Sequence, residues 1–405
     1  MDIHDLAKKT VSLITDVAHL ILLLRPITEQ ERADLEELSH HLNKQDLKTA
    51  KKYTRQLRIQ ATAKKIPYSE AITPLRDHIT LKTKDLKIEN QIDTINTAIE
   101  NSIQNIIINR FKKNAWNNLQ KLFAPNIIGF DNVKKGAILQ LFSKDQIHIL
   151  LLGDPGTGKT DILRVTEAIA PINTFSLGSG TTNTGLTVTV KGKEISKGIL
   201  SLADNGIALI DELNLMKKED RAGLYNAMEK GFITYDKGGH HYKFNSRCSI
   251  LASANPKKGK FSGTEKKQIE KQIPFDSALL SRFHLLYIIR EADIKQFMEI
   301  TDNVFTQKKQ SSNNEDLAFL KKYVTRSKTL EIQFSEDYND MIKQFVKEIK
   351  EKEKDMLIDI TPRFIIGLKR LIEASARMEL RTRIEKEDVW RAMEVYTLSM
   401  EGITF

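Results

Sequence analysis

Cysteine is nearly absent from this chain: Cys248 is the only one in 405 residues. No disulfide framework can form, and no cysteine-built zinc ribbon either. Long apolar runs are also missing. The most apolar stretch near the start, Val11–Leu24, is too short to span a bilayer and carries Asp16 and His19. No signal-peptide pattern precedes it, so a cytosolic protein is expected, or a nuclear one in a host with a nucleus. Internal repeats and low-complexity tracts are lacking too. The charge is positive but moderate, +10, and much of it is lysine spread over helical segments as solvated charge. Taken alone it favours a polyanionic partner only weakly. The length leaves room for two or three domains with ample core.

What is present begins at residue 147. The apolar run Ile147-His-Ile-Leu-Leu-Leu152 feeds into Gly153, Asp154, Pro155, Gly156, Thr157, Gly158, Lys159 and Thr160. That is a complete phosphate-binding loop with its strand before it and a helical pattern (Ile162, Leu163, Val165, Ile169) after it. The glycines permit positive φ, so successive amides can turn inward around a phosphate. A helix starting near Lys159 adds its positive end to the same site. Lys159 is expected to reach the β- and γ-phosphates, and the Thr160 hydroxyl to ligate Mg²⁺. The reading is that the chain binds a nucleoside triphosphate.

Residues 206–212, Gly-Ile-Ala-Leu-Ile-Asp-Glu, read as a buried strand ending in two carboxylates. Strand ends face the ligand crevice in a parallel sheet. Asp211 is therefore expected near Mg²⁺ and Glu212 near the attacking water as its base or polariser. An acidic start to a helix over 217–230 is the plainer use of the pair. A further strand, Ser249–Ala254, ends at Asn255-Pro256, where an amide can orient that water or simply make a turn.

Residues 1–115 contain no glycine and read as helices, the last with an apolar stripe from Leu81 to Ile106 that serves as core or as a partner-binding seam. Residues 116–291 alternate strands and helices, which argues for a parallel α/β sheet. A charged connector, 292–315, leads to helices over 316–405, with Pro362 placed in a first turn before Arg363–Leu380. Two segments break the α/β pattern. Residues 186–200 alternate in period two around Lys191-Gly192-Lys193, and 232–247 do so around Asp236-Lys237-Gly238-Gly239. Both read as β-hairpins with basic tips, suited to phosphate contacts or to plain solvation. Tyr235 and Tyr242 either pack across the second hairpin or stack on bases.

These segments, with Thr182–Thr187, Gly198–Glu212, Asn245–Pro256, Leu279–Leu286 and Thr361–Met378, resemble the minichromosome maintenance (MCM) helicases. The similarity runs from about Asn117 to Tyr396. The resemblance implies an AAA+ P-loop core with two hairpin inserts and a C-terminal helical lid. It implies an ATPase that forms a hexameric ring and moves on single-stranded DNA in replication or repair. By resemblance Lys159, Thr160, Asp211 and Glu212 are Walker residues, Asn255 is sensor 1, Arg282 the arginine finger and Arg363 sensor 2. An ordinary surface salt bridge is the alternative for Arg282. Lys191, Lys193 and Lys237 would touch DNA in the pore. MCM proteins carry an N-terminal oligonucleotide-binding fold, usually with a zinc ribbon. Here that region reads as helices open to a protein partner, and the acidic-loop sequence becomes Leu213-Asn214-Leu215-Met216. A truncated or divergent member is expected. The rival expectation is a MoxR-type AAA+ protein-remodelling ATPase, which shares the first insert and would use the N-terminal helices to hold clients.

Overall fold

The computed structural model describes residues 107–191, 194–237, 240–263, 265–306, 314–357 and 360–401. The predicted helices before residue 107, with their apolar stripe, the Gly192-Lys193 and Gly238-Gly239 tips and most of the connector's second half lie outside these residues.

Two helices, α1 (Ala115–Leu122) and α2 (Asp131–Phe142), lead into strand β1 (His148–Gly153). The order continues α3 (Lys159–Ile169), β2 (Asn173–Leu177), α4 (Asn183–Thr187), β3 (Val188–Lys191), β4 (Glu194–Lys197) and α5 (Ile199–Leu202). It then runs β5 (Ile207–Asp211), α6 (Ala222–Lys230), β6 (Phe232–Lys237), β7 (His240–Asn245), β8 (Ser249–Ala254), α7 (Lys266–Gln272), α8 (Ser277–Leu280) and β9 (Leu285–Ile289). Helices follow to the end: α9 (Ile294–Thr306), α10 (Asn314–Ser327), α11 (Asn339–Glu351), α12 (Pro362–Met378) and α13 (Lys386–Glu401).

Five strands form one parallel sheet in the order β2-β5-β8-β1-β9. Every residue of β1, β5 and β8 is buried, which is why their sequences are predominantly apolar rather than alternating. The expected parallel α/β core is therefore present, with two separate antiparallel hairpins.

The first hairpin is shorter than the alternation suggests. Residues 188–197 form it, while Leu186-Thr187 and Ile199-Leu200 are helical. Thr182 caps α4 by accepting the Gly185 N–H at 3.2 Å, and Leu186 and Leu200 are fully buried in the core. Core burial overrides the period-two pattern at both flanks. Likewise the helix expected over 217–230 opens as a 3₁₀ turn, Lys218–Arg221, before α6. In the second hairpin Tyr235 stands opposite Tyr242, the cross-strand arrangement.

The lid packs against the core's first helices. Pro362 occupies the first turn of α12, as expected. Buried Tyr323 of α10 donates its hydroxyl to the Met378 carbonyl at 2.6 Å. The turn between α12 and α13 is held by Arg381, which bonds both oxygens of fully buried Asp388.

Candidate active site

Three neighbouring strands end at one edge of the sheet. Leu152 of β1 stands opposite Ala254 of β8, and Ile210 of β5 opposite Ala252. Gly153 and Asn255 therefore emerge side by side at the carboxyl edge, where open parallel sheets bind ligands, with Asp211 two residues lower, level with Ser253.

The loop after β1 needs glycine at particular points. Gly156 and Gly158 have φ of 72° and 85°, the left-handed region. A Cβ on Gly153 would stand 2.3 Å from the Ile289 carbonyl oxygen of β9. Helix α3 starts at Lys159 with no side-chain cap, so its first amides point into the loop unclaimed by a capping oxygen. Lys159 is buried and donates to the carbonyls of Gly153 at 2.9 Å and Asp154 at 2.6 Å. Burial lowers its pKa to about 8, opposed by Asp154 and Asp211. The Asp154 carboxylate is occupied elsewhere: it accepts the amides of Phe261 at 2.7 Å and Glu291 at 3.0 Å. It braces the loop against two later segments.

Thr160 donates its hydroxyl to Asp211 Oδ2 at 2.9 Å, so the two residues expected around Mg²⁺ are in contact. A hydroxyl and a carboxylate are hard oxygen donors, and that set fits Mg²⁺ beside a phosphate. Glu212 follows in the left-handed conformation, φ 54° and ψ 44°. Its N–H donates to Ser253 Oγ at 3.0 Å, and the Ser253 hydroxyl donates to Asp211 Oδ1. The Asn255 N–H donates to Asn214 Oδ1 at 2.9 Å, tying the end of β8 to the turn after β5.

Arg282 and Arg363 form a second group. Arg282 follows α8 and donates to exposed Glu229 at 2.5 Å and to the Ala278 carbonyl, with its guanidinium 5.0 Å from the Tyr225 ring. Arg363, in the first turn of α12, donates to the Ser281 carbonyl at 3.0 Å. Burial, then the charge of Arg282, pushes the Arg363 pKa down, and Glu229 opposes them. Arg282 and Arg363 hold Glu229 below the usual carboxylate range. The described contacts of both arginines include no loop residue from 153 to 160. Of the hairpin lysines, Lys191 pairs in register with Glu194 and Lys237 with His240 at the hairpin ends, and Lys193 lies outside the described residues.

Sequence reasoning missed Ser253, Asn214 and the bracing role of Asp154. Ser253 sits in a strand already assigned, one residue before Ala254, and its hydroxyl at the polar end of an apolar run was the available signal.

The MCM P-loop domain matches residues 102–308, and the MCM AAA-lid domain matches residues 318–400. The chain is 31% identical over 303 residues to the minichromosome maintenance protein MCM of Saccharolobus solfataricus, covering 69% of this chain and 44% of that protein. It is 31% identical over 316 residues to DNA replication licensing factor mcm7-B of Xenopus laevis, covering 71% and 43%. It is 30% identical over 351 residues to DNA replication licensing factor MCM3 of Entamoeba histolytica, covering 70% and 58%. The chain thus spans less than half the length of the first two relatives.

Proposed function

The chain belongs to the minichromosome maintenance family, and we propose that it is an ATP-hydrolysing motor that assembles as a hexameric ring and translocates on single-stranded DNA. The pathway in this reading is replication or repair. One observation carries it: the phosphate loop, Asp211-Glu212 and Asn255 converge at one sheet edge, while elsewhere Arg282 pairs with exposed Glu229 and Arg363 binds the neighbouring Ser281 carbonyl.

In this reading the loop amides and the Lys159 ammonium hold the triphosphate. Thr160 and Asp211 would hold Mg²⁺, which when bound neutralises charge on the phosphate oxygens. Glu212 accepts the proton of the attacking water, and Asn255 orients that water. Arg282 and Arg363 reach the γ-phosphate of a neighbouring subunit. An arginine offered in this way is worth roughly 10³–10⁵ in rate. The two hairpins line the pore, with Lys191, Lys193 and Lys237 on DNA phosphates. The domain reading is helices over 1–115, the ATPase core over 116–291, a connector over 292–315 and the lid over 316–405. A nuclear place in a nucleated host, and a cytoplasmic one otherwise, goes with it. Among the described residues no helix is long and apolar enough to cross a membrane.

The test is single-stranded DNA binding across salt, with and without ATP. Lys237→Ala should weaken affinity with little sequence dependence. It should make the slope of log affinity against log salt shallower by up to about 0.7 for each engaged subunit. Basal hydrolysis should persist while its stimulation by DNA falls. A wild-type protein with no salt-dependent DNA affinity defeats the translocase reading; the MoxR-type alternative has no support in the family matches.

A further inference from the structure

We propose that Ser253 is a positioning residue that sets the stance of Glu212 toward the nucleotide crevice; its consequence for rate rests on the hydrolytic reading above. Ser253 is 2% exposed and lies in the middle strand of the three that build the site. A hydroxyl has one proton to give and two lone pairs to accept with. Here the proton goes to Asp211 Oδ1, and one lone pair takes the Glu212 N–H at 3.0 Å. The other Asp211 oxygen accepts from Thr160. Four groups on three elements are thereby joined in a row: the Glu212 amide, the Ser253 hydroxyl, the Asp211 carboxylate and the Thr160 hydroxyl.

Glu212 needs such an anchor. Its φ of 54° lies in the left-handed region, which residues with a side chain adopt rarely and keep only when their surroundings fix them. On its carbonyl side two features hold the turn. Leu215 N–H donates to the Glu212 carbonyl at 2.9 Å. Gly178 packs so closely that a Cβ there would stand 2.2 Å from that same oxygen. On its amide side the hydrogen-bond acceptor is the Ser253 hydroxyl. A residue in this conformation at a strand end turns the chain, so the same torsions that the anchors fix also aim the Glu212 side chain. Asn255 comes two residues after Ser253, directly beyond the end of the same strand. Strand β8 therefore carries the anchor of the base and leads directly into the water-orienting amide, so a shift of β8 moves them together.

The test uses the full-length protein. Ser253→Ala adds no atoms to the buried strand. It should lower kcat at least about tenfold, since a misplacement of about 1 Å can cost about a hundredfold. The ATP dissociation constant should stay within about threefold, because the loop amides and Lys159 that grip the triphosphate do not touch Ser253. Hydrogen exchange at the Glu212 amide should accelerate at least about tenfold while β1 amides are unchanged. Ser253→Thr keeps the hydroxyl and should recover most of kcat, whereas the same-shaped Ser253→Val should stay with the alanine variant. Unchanged kcat and unchanged exchange in Ser253→Ala would overturn the proposal. So would a threonine variant no better than valine. If the larger pair does not fold, the alanine kinetics and exchange decide. A wild-type protein that hydrolyses no ATP defeats the hydrolytic reading separately, and the Glu212 amide then decides the role of Ser253 by itself.

Discussion

The sheet edge that faces the nucleotide and the arginine pair differ in how their polar groups are held. Lys159, Thr160 and Asp211 bond to one another's segments, and Lys159 and Asp211 are buried. Arg282 leans on Glu229, whose side chain is 49% exposed, and Arg363 takes one carbonyl from the turn beside Arg282. A buried network resists rearrangement, because each broken bond strands a polar group away from water. An exposed ion pair is worth little and can be exchanged at small cost. One group of polar residues is thus fixed within the chain and the other rests on a replaceable partner; in the proposed reading that second group is the one a neighbouring copy's phosphate would engage.

The sharpest way to break this contrast is a mixing experiment. Arg282→Ala alone should cut ATP turnover by roughly 10³–10⁵ if the guanidinium meets the transferring phosphate. Lys159→Ala alone should abolish productive nucleotide binding. Mixed assemblies of the two variants should regain activity, since some junctions then combine an intact loop with an intact arginine. No recovery after confirmed subunit exchange would place both halves in one subunit and dissolve the contrast.

The next effect is confined to the nucleotide edge. Glu212→Gln should keep ATP bound and slow hydrolysis by about 10²–10⁴, the range of a lost general base. Single-turnover assays beside equilibrium binding would separate the two. Normal turnover with tight binding would remove Glu212 from its role.

Much of that edge was legible beforehand because it is local. The loop from Gly153 to Thr160 is contiguous, the strand before Asp211 is an unbroken apolar run, and the one before Asn255 is largely apolar. The links that join these pieces were not legible. Ser253 meets Asp211 across 42 residues, Asn255 meets Asn214 across 41, and Asp154 meets Phe261 across 107. Those meetings are set by strand order, which no spacing within a motif encodes. Arg282 and Arg363 were named as separate motifs, and only the packing of α12 beside α8 made them neighbours. The five-residue α4 hid inside an alternating pattern, because a single capped turn is too short to display a helical period.

A smaller effect concerns acidity. Burial holds Lys159 at a pKa of about 8 in the free protein. A bound triphosphate favours the ammonium and raises that value, so binding takes up a proton once the pH passes about 8. Affinity should therefore fall as pH rises above 8, by up to about tenfold per unit. Stability of the ligand-free protein should gain from Lys159 over the same window, because the unfolded chain is then the form that holds the extra proton. Titration calorimetry in buffers of different ionisation enthalpy would read the proton directly. A flat profile would show that Lys159 stays charged on its carbonyls.

The smallest effect belongs to Glu229→Gln. An exposed, replaceable partner should be dispensable, so the thermal midpoint should not move and turnover should change no more than about twofold. A clear loss of stability would put the arginine pair in the same class as the nucleotide edge.

The strand order also governs when the protein becomes competent during its own synthesis. Strand β1 lies between β8 and β9, and Gly153 pairs with Ile289, 136 residues further on. The Asp154 N–H, inside the phosphate loop, likewise donates to the Ile289 carbonyl. At roughly 5–20 residues per second, the ribosome delivers that flank on the order of ten seconds after the loop itself has been made. Strand β8 is made first and can cover one edge of β1, but until β9 follows the other edge stays open and the loop lacks its wall. The nascent chain should gain its grip on nucleotide abruptly and late, when the last strand closes the sheet, and in the interval it is a natural client for chaperones.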